Sequence, residues 1–453
     1  MEQWRKALGM TAFIAVCLYL LEVWVSDVQT RDLYSSLALL LLPFCLWRMR
    51  KVNLLILIML LVCAGFLFLH TNASWYEVLY SFGENMSLLG LFLLVPLFGI
   101  TLNQAGYYEA LSRRIQAREA EKGEHPYRLG YGLTVGMGSV LNLGSLPLIY
   151  HLGEKSLGGY RPKLFGMTLL RGFGFCMLVS PYFVNVGLVL VLYDLAWTDI
   201  ALYGMVSALV YTLVVVLFFP VTSFSNDPPV SREHSEAKVK QNVTTRGLIM
   251  YILLMMVLSL LLEAWLPLNM LAIVTSLSLI YPFVWAIAKG IFIPVFQAGQ
   301  QHLATSYDRV YNEMGIFITA GVLGTALERS DVGPVVSQFL YELSQGYVPL
   351  IAALVLLLAI ILALVGIHPV IIVIGLGQSL SPELFGIAPE VMAVLLLSAW
   401  TLGTQISPFS GSVLMAAHLT DESAWRLVQK NIGFVALMFF ISSFLITVFH
   451  MFS

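Results

Sequence analysis

Two Ser-Pro dipeptides sit where a membrane-length apolar segment should be continuous. One opens "SPYFVN" (Ser180 to Asn185), the other "SPFSGS" (Ser407 to Ser412). Two more apolar stretches are interrupted in the same manner, at "NLGSLP" (Asn142 to Pro147) and "GIHP" (Gly366 to Pro369). Proline removes a backbone donor and clashes with the preceding turn. Gly144, Gly366, Gly403 and Gly411 tolerate the backbone that such a break needs. In hydrocarbon a broken helix survives only where protein or a wet cavity satisfies its freed groups. The carbonyls that end one half-helix can coordinate Na⁺, and the positive start of the next can hold an anion. The breaks therefore define two half-sites. Asn142, Gly144, Ser145, Ser180, Pro181 and Asn185 line one. His368, Thr404, Gln405, Ser407, Pro408, Ser410 and Ser412 line the other. A bound Na⁺ would fall at Asn142, Ser145, Thr404 and Ser407, with H⁺ the alternative coupling ion. Small polar residues also join helices without binding anything, but matched interruptions in two places favour a site.

Arg171, in "LLRGFGF", lies about 12 Å along its span. It either attracts an anionic solute or snorkels to the interface. His368 is a proton-sensitive ligand or a capping residue. No Asp or Glu falls near the middle of a span: Glu22, Glu263 and Glu390 sit toward the ends. That pattern favours a neutral polar site over the carboxylate relay of a proton antiporter. There is no P-loop, metal-ligand cluster, resident cofactor motif or nucleophile–base pair, so neither ATP-driven transport nor an enzyme is expected. Cys17, Cys45, Cys63 and Cys176 read as small buried hydrophobes.

The elements that must position these residues follow from composition. Of 453 residues 59% are hydrophobic and 11% charged, too little polar surface to cover a soluble globule. The chain reads as an all-α polytopic protein of the cell (inner) membrane, in contact with lipid, with no basic patch for nucleic acid. Hydropathy places spans at 8–25, 34–48, 53–70, 85–104, 163–193, 198–222, 246–265, 268–287, 312–328, 386–418 and 431–452. The first reads as an uncleaved span. The stretches 127–156 and 348–380 read as re-entrant hairpins that return to the side they entered. With the N-terminus in the cytoplasm and the C-terminus outside, 21 of the 24 Lys and Arg fall inside. Reading either hairpin as a crossing destroys that asymmetry.

The polar stretch 223–245 divides the chain into halves that match in order. "YEVLYSFGENM" (Tyr76 to Met86) matches "YDRVYNEM" (Tyr307 to Met314), "LFGITLNQAG" matches "VLGTALERSDVG", "GSLP" matches "GIHP", and "KLFG" matches "ELFG". "SPYFVN" matches "SPFSGS". The organisation is a leading helix (1–30), a first repeat (31–222, hairpin 127–156, broken helix 163–193), a cytoplasmic linker (223–245), and a second repeat (246–453, hairpin 348–380, broken helix 386–418). The repeats run in opposite orientations, as in many secondary transporters. This arrangement, with "LNQAGYYEALSRRIQ" (Leu102 to Gln116) as a surface helix, resembles the ion transporter superfamily of divalent-anion/sodium symporters and arsenite and citrate permeases. The signature Ser-Asn-Thr triplets of the symporters are absent. The resemblance implies a homodimer built on the first three spans. The function expected is secondary transport of a small, anionic solute coupled to Na⁺ or H⁺ by alternating access. The alternative is a membrane enzyme or exporter acting on lipid-linked or amphipathic substrates.

Overall fold

The computed structural model describes residues 2–25, 29–122, 125–230 and 245–453. Most of the expected linker, 231–244, lies outside the described residues. The first half opens with α1 (Glu2–Trp24), α2 (Arg31–Arg48) and α3 (Lys51–His70). One span follows in three pieces, α4 (Trp75–Ser81), α5 (Met86–Leu94) and α6 (Pro96–Gln104), with α7 (Tyr107–Lys122) after it. The first hairpin is α8 (Pro126–Leu141) and α9 (Ser145–Ser156), joined by one 3₁₀ turn at Asn142–Gly144. The first broken helix is α10 (Pro162–Val179) and α11 (Val184–Leu192), and α12 (Trp197–Phe218) ends this half.

The second half repeats the order: α13 (Thr245–Trp265), α14 (Met270–Ala288), α15 (Phe292–Ala304), α16 (Ser306–Glu328) and α17 (Val332–Ser344). Its hairpin is α18 (Val348–Val365) and α19 (Pro369–Ser379), followed by the single turn α20 (Pro382–Phe385). Its broken helix is α21 (Pro389–Ile406) and α22 (Gly411–Thr420), and α23 (Ala424–Phe452) closes the chain.

This is an all-α polytopic membrane protein. Among the described residues twelve helical stretches are long and apolar enough to cross a bilayer. Two of them, Pro126–Ser156 and Val348–Val365, belong to hairpins. A further crossing is α2, whose Arg31 pairs with Glu84 at one end and whose Arg48 pairs with Asp308 at the other. Eleven crossings and two hairpins result.

The first hairpin is visible in its packing. Gly130 on α8 and Gly153 on α9 both abut the ring of Phe165, with no room for a Cβ at either. Two residues about equally distant from the turn thus reach the same level, which a straight helix cannot do. Asn142 makes the reversal at φ 53°, ψ −140°, and Gly366 reverses the second hairpin at φ 102°, a left-handed conformation suited to glycine.

The repeat extends to individual hydrogen bonds. The hydroxyls of Ser112 on α7 and Ser156 on α9 share one at 2.7 Å. In the second half Ser337 on α17 donates to the Ser379 carbonyl on α19. The halves also interlock, since α9 packs on α22 and α19 on α11. Charges gather at the two ends. Arg5 and Arg48 meet Asp308 at one, and Lys163 meets Glu422 at 2.8 Å there. At the other, Arg31 meets Glu84 and Arg329 meets Glu77.

Buried cysteine holds only in part. Cys45 and Cys176 are buried and Cys17 half-buried, but Cys63 is exposed on α3. Its neighbours Met59, Val62 and Phe66 are also exposed, so this is an outward apolar face, where a small thiol has no core to join.

Candidate functional site

The two Ser-Pro breaks are built alike. The Ser180 hydroxyl donates to the Ser139 carbonyl on α8 at 2.5 Å and accepts the Tyr182 N–H at 3.3 Å. The Ser407 hydroxyl donates to the Ala363 carbonyl on α18 at 2.7 Å and accepts the Phe409 N–H at 3.3 Å. Each serine therefore pins its break to the neighbouring hairpin and takes one N–H that the following proline leaves without a helical partner. Pro181 and Pro408 cause the breaks but do not line the central cavity.

That cavity has a volume of about 150 Å³ and collects residues from both halves. The first hairpin supplies Asn142, the first break Asn185, and the second hairpin His368. The second broken helix supplies Thr404, Ser410 and Ser412. The starts of α11, α19 and α22 all reach its wall. Phe92, Phe173, Phe183, Phe317, Phe409 and Trp400 form the apolar remainder.

Several polar atoms here are committed to the fold. The Asn185 side-chain amide donates to the Met177 carbonyl at 2.6 Å, and the Ser410 hydroxyl to the Thr404 carbonyl at 2.8 Å. His368 caps α19 by accepting the Val370 N–H at 3.3 Å. Two atoms are not committed. The Thr404 and Ser412 hydroxyls are buried, at 6% and 2% exposure, and have no hydrogen-bond partner. A buried hydroxyl left unpaired is costly, so a ligand or ordered water in the cavity is the natural partner for both.

A second cavity of about 720 Å³ adjoins the first, sharing Phe92, Asn142 and Leu143 as a common wall. Gly144 and Pro147 line it on the hairpin side, and Gln301, His302 and Arg309 toward the end where Arg5 and Arg48 meet Asp308. Arg309 donates to His302 Nδ1 at 2.7 Å, which leaves Nε2–H to donate to the Leu93 carbonyl at 2.9 Å. Burial pushes His302 down to about 4, against the Leu93 bond that favours its charged form. The vestibule histidine is therefore neutral.

Other expected site residues lie elsewhere. Ser145 is fully buried and donates to the Asn142 carbonyl at 2.7 Å. Ser407 borders a separate space of about 30 Å³ with His368. Of the four residues expected to hold Na⁺, Asn142 and Thr404 line the central cavity, while Ser145 and Ser407 do not. Gln405 and Arg171 belong to a different network. Arg171 is 2% exposed. Its Nε donates to Asn431 Oδ1 at 3.0 Å and its Nη1 to the Thr222 hydroxyl at 3.1 Å, and its guanidinium lies 4.7 Å from the Phe434 ring centre. Asn431 donates in turn to the Gln405 carbonyl and side-chain oxygen, both at 3.1 Å, and Gln405 donates to the Leu170 carbonyl at 2.9 Å. Arg171 lines neither cavity. Its side chain lies against α23 and reaches Thr222, just past the end of α12.

Glu313, with its neighbour Asn312, also lines the central cavity. The carboxylates placed in the spans from sequence are Glu22, Glu263 and Glu390, with Glu313 passed over. The hydropathy span begins at 312, but α16 begins at Ser306, which puts Glu313 about 10 Å inside the helix. The stretch "YDRVYNEM" held the signal, as the polar opening of a helix rather than a loop before one. Comparison with protein-family models and with curated proteins gave no match for this chain.

Proposed function

We propose that this protein is a secondary active transporter of a small solute bearing an anionic group, with the basic end of the molecule in the cytoplasm and the C-terminus outside. The observation that carries this reading is the pair of unpartnered hydroxyls, Thr404 and Ser412, in a cavity where three half-helix starts meet. Helix starts favour anions, and meeting half-helices from inverted repeats is how many transporters build a site. The larger cavity gives this site an approach from the basic end alone among the described cavities, as expected of one state in an alternating cycle. The excess of Lys and Arg at that end supports the orientation. The resemblance to the ion transporter superfamily belongs to this proposal, as does a homodimer using the exposed apolar face of α3.

Purified protein in proteoliposomes tests the reading. Uptake of a labelled carboxylate or oxyanion driven by an imposed ion gradient is expected, and it should fall in Thr404→Val and Ser412→Ala. No gradient-driven uptake across a broad set of carboxylates, oxyanions and sugar acids would overturn it.

A further inference from the structure

Glu313 is the one carboxylate on the wall of the central cavity. Among the described residues it has no ion pair, and the one hydrogen bond to its carboxylate comes from its own main-chain N–H. Its surroundings explain why no ion pair forms. His368 is the only other titratable side chain on that wall, and its Nδ1 accepts a backbone N–H. Arg309, one turn away on α16, is turned to His302, donating to its ring and its main-chain carbonyl. Arg5 on α1 and Arg48 on α2 are held by Asp308, and α3 contributes only Lys51 and His70 at its two ends. Toward the far end, Glu77 is taken by Arg329 and Glu84 by Arg31. The helices α5 and α19, which pack directly on α16, carry no charged residue.

The carboxylate thus stands in a cavity otherwise suited to an anion. Each half-helix start offers roughly half a positive charge, so one ionised Glu313 offsets about two of them. A cation could neutralise it, but five of the carbonyls at the breaks are already engaged. The carbonyls of Ser139, Met177, Ala363, Thr404 and Gln405 each already accept a side-chain donor. A proton needs no such cage, since it adds to one carboxylate oxygen and converts the side chain to a neutral acid. It comes from water in the adjoining vestibule and returns to water when the site opens to the other side.

We propose that Glu313 binds a proton together with the anion, so that neither occupies the cavity well alone and the two are carried in symport. This rests on the anion reading above. Mutual dependence must be reciprocal: above the carboxyl's own pKa, the apparent affinity for the anion falls about tenfold per pH unit.

The test uses the purified wild type, Glu313→Gln, Glu313→Asp and His368→Gln. Thermal stabilisation is measured with choline salts of sulfate, acetate, succinate and gluconate, from about pH 5 to about pH 8. In the wild type and Glu313→Asp the apparent affinity should drop with rising pH. In Glu313→Gln it should be flat, with the dependence retained in His368→Gln. The same slope in Glu313→Gln, its loss in His368→Gln alone, or a requirement for Na⁺ in place of low pH would overturn the proposal. Infrared difference spectra between the extremes of pH supply a ligand-free arm. A protonated-carboxyl band is expected in the wild type and not in Glu313→Gln, and its absence from the wild type would overturn the proposal. If no anion stabilises any variant while that band is present, the anion reading fails and the protonation of Glu313 stands.

Discussion

Replacing Asn431 should cost more than replacing the charge it serves. Asn431 accepts from Arg171 Nε and donates twice to Gln405. In Asn431→Leu the buried guanidinium keeps only the Thr222 hydroxyl as a side-chain hydrogen-bond partner, with Nη2 already unpartnered. Breaking a buried charge's partner costs about 3–5 kcal/mol in soluble proteins. Side-chain hydrogen bonds between membrane helices average nearer 0.6 kcal/mol, so about 2–4 kcal/mol is the expectation for Asn431→Leu. Arg171→Met removes the charge itself. It gives up a cation–π contact worth about 1–2 kcal/mol but also the desolvation cost of an ion without a counter-charge. It should therefore change stability by less than about 1 kcal/mol in either direction. The double variant Arg171→Met/Asn431→Leu should recover much of the loss, with a coupling energy of about 1.5–3 kcal/mol. Reversible unfolding in micelles, read by intrinsic fluorescence, measures all four corners of the cycle. Additive effects, or Arg171→Met more damaging than Asn431→Leu, would refute the view that Asn431 serves an otherwise isolated charge.

Thr404→Val and Ser412→Ala remove hydroxyls that have no protein partner, so each should leave stability within about 0.5 kcal/mol or raise it slightly, measured by the same unfolding assay. Ser180→Ala and Ser407→Ala should each destabilise by about 1–3 kcal/mol, because each leaves a hairpin carbonyl and a break N–H without a partner. Gly144→Cys, at an uncrowded position with ordinary backbone angles, should react with a charged thiol reagent in inside-out vesicles and not in right-side-out ones; the opposite pattern would invert the proposed orientation. The Lys163 ammonium, with the Ser423 N–H, holds the Glu422 carboxyl below its ordinary value. Its folded pKa lies under its unfolded one, so its stabilisation is complete above the unfolded value and is lost as pH falls through the folded one. Thermal melts should accordingly show the gap between wild type and Glu422→Gln closing on acidification below about pH 4.

The apolar runs made the crossings legible because a bilayer demands about 20 residues of one character. The hairpins were legible because Gly and Pro cluster where apolar runs are otherwise unbroken. Most of what failed has one physical cause, the reach of side chains. Hydropathy does not say that the Ser145 and Ser407 hydroxyls are used by nearby carbonyls, or that Arg171 finds Asn431, 260 positions away. Glu313 was missed because a polar first turn lowers the local average, so the helix was started six residues late. Arg309 was missed for the same reason.

The serine clamps set which parts of the molecule can travel independently. A hairpin tip that swung away by itself would have to surrender the bond between its Ser139 or Ala363 carbonyl and the serine of the break. The inexpensive motion keeps hairpin and kinked helix together as one body. Because α9 rests on α22 and α19 on α11, that body draws on both repeats at once. Any gating displacement would then be shared, with sliding at the surfaces of α5, α14 and α16, where no comparable clamp joins the two sides.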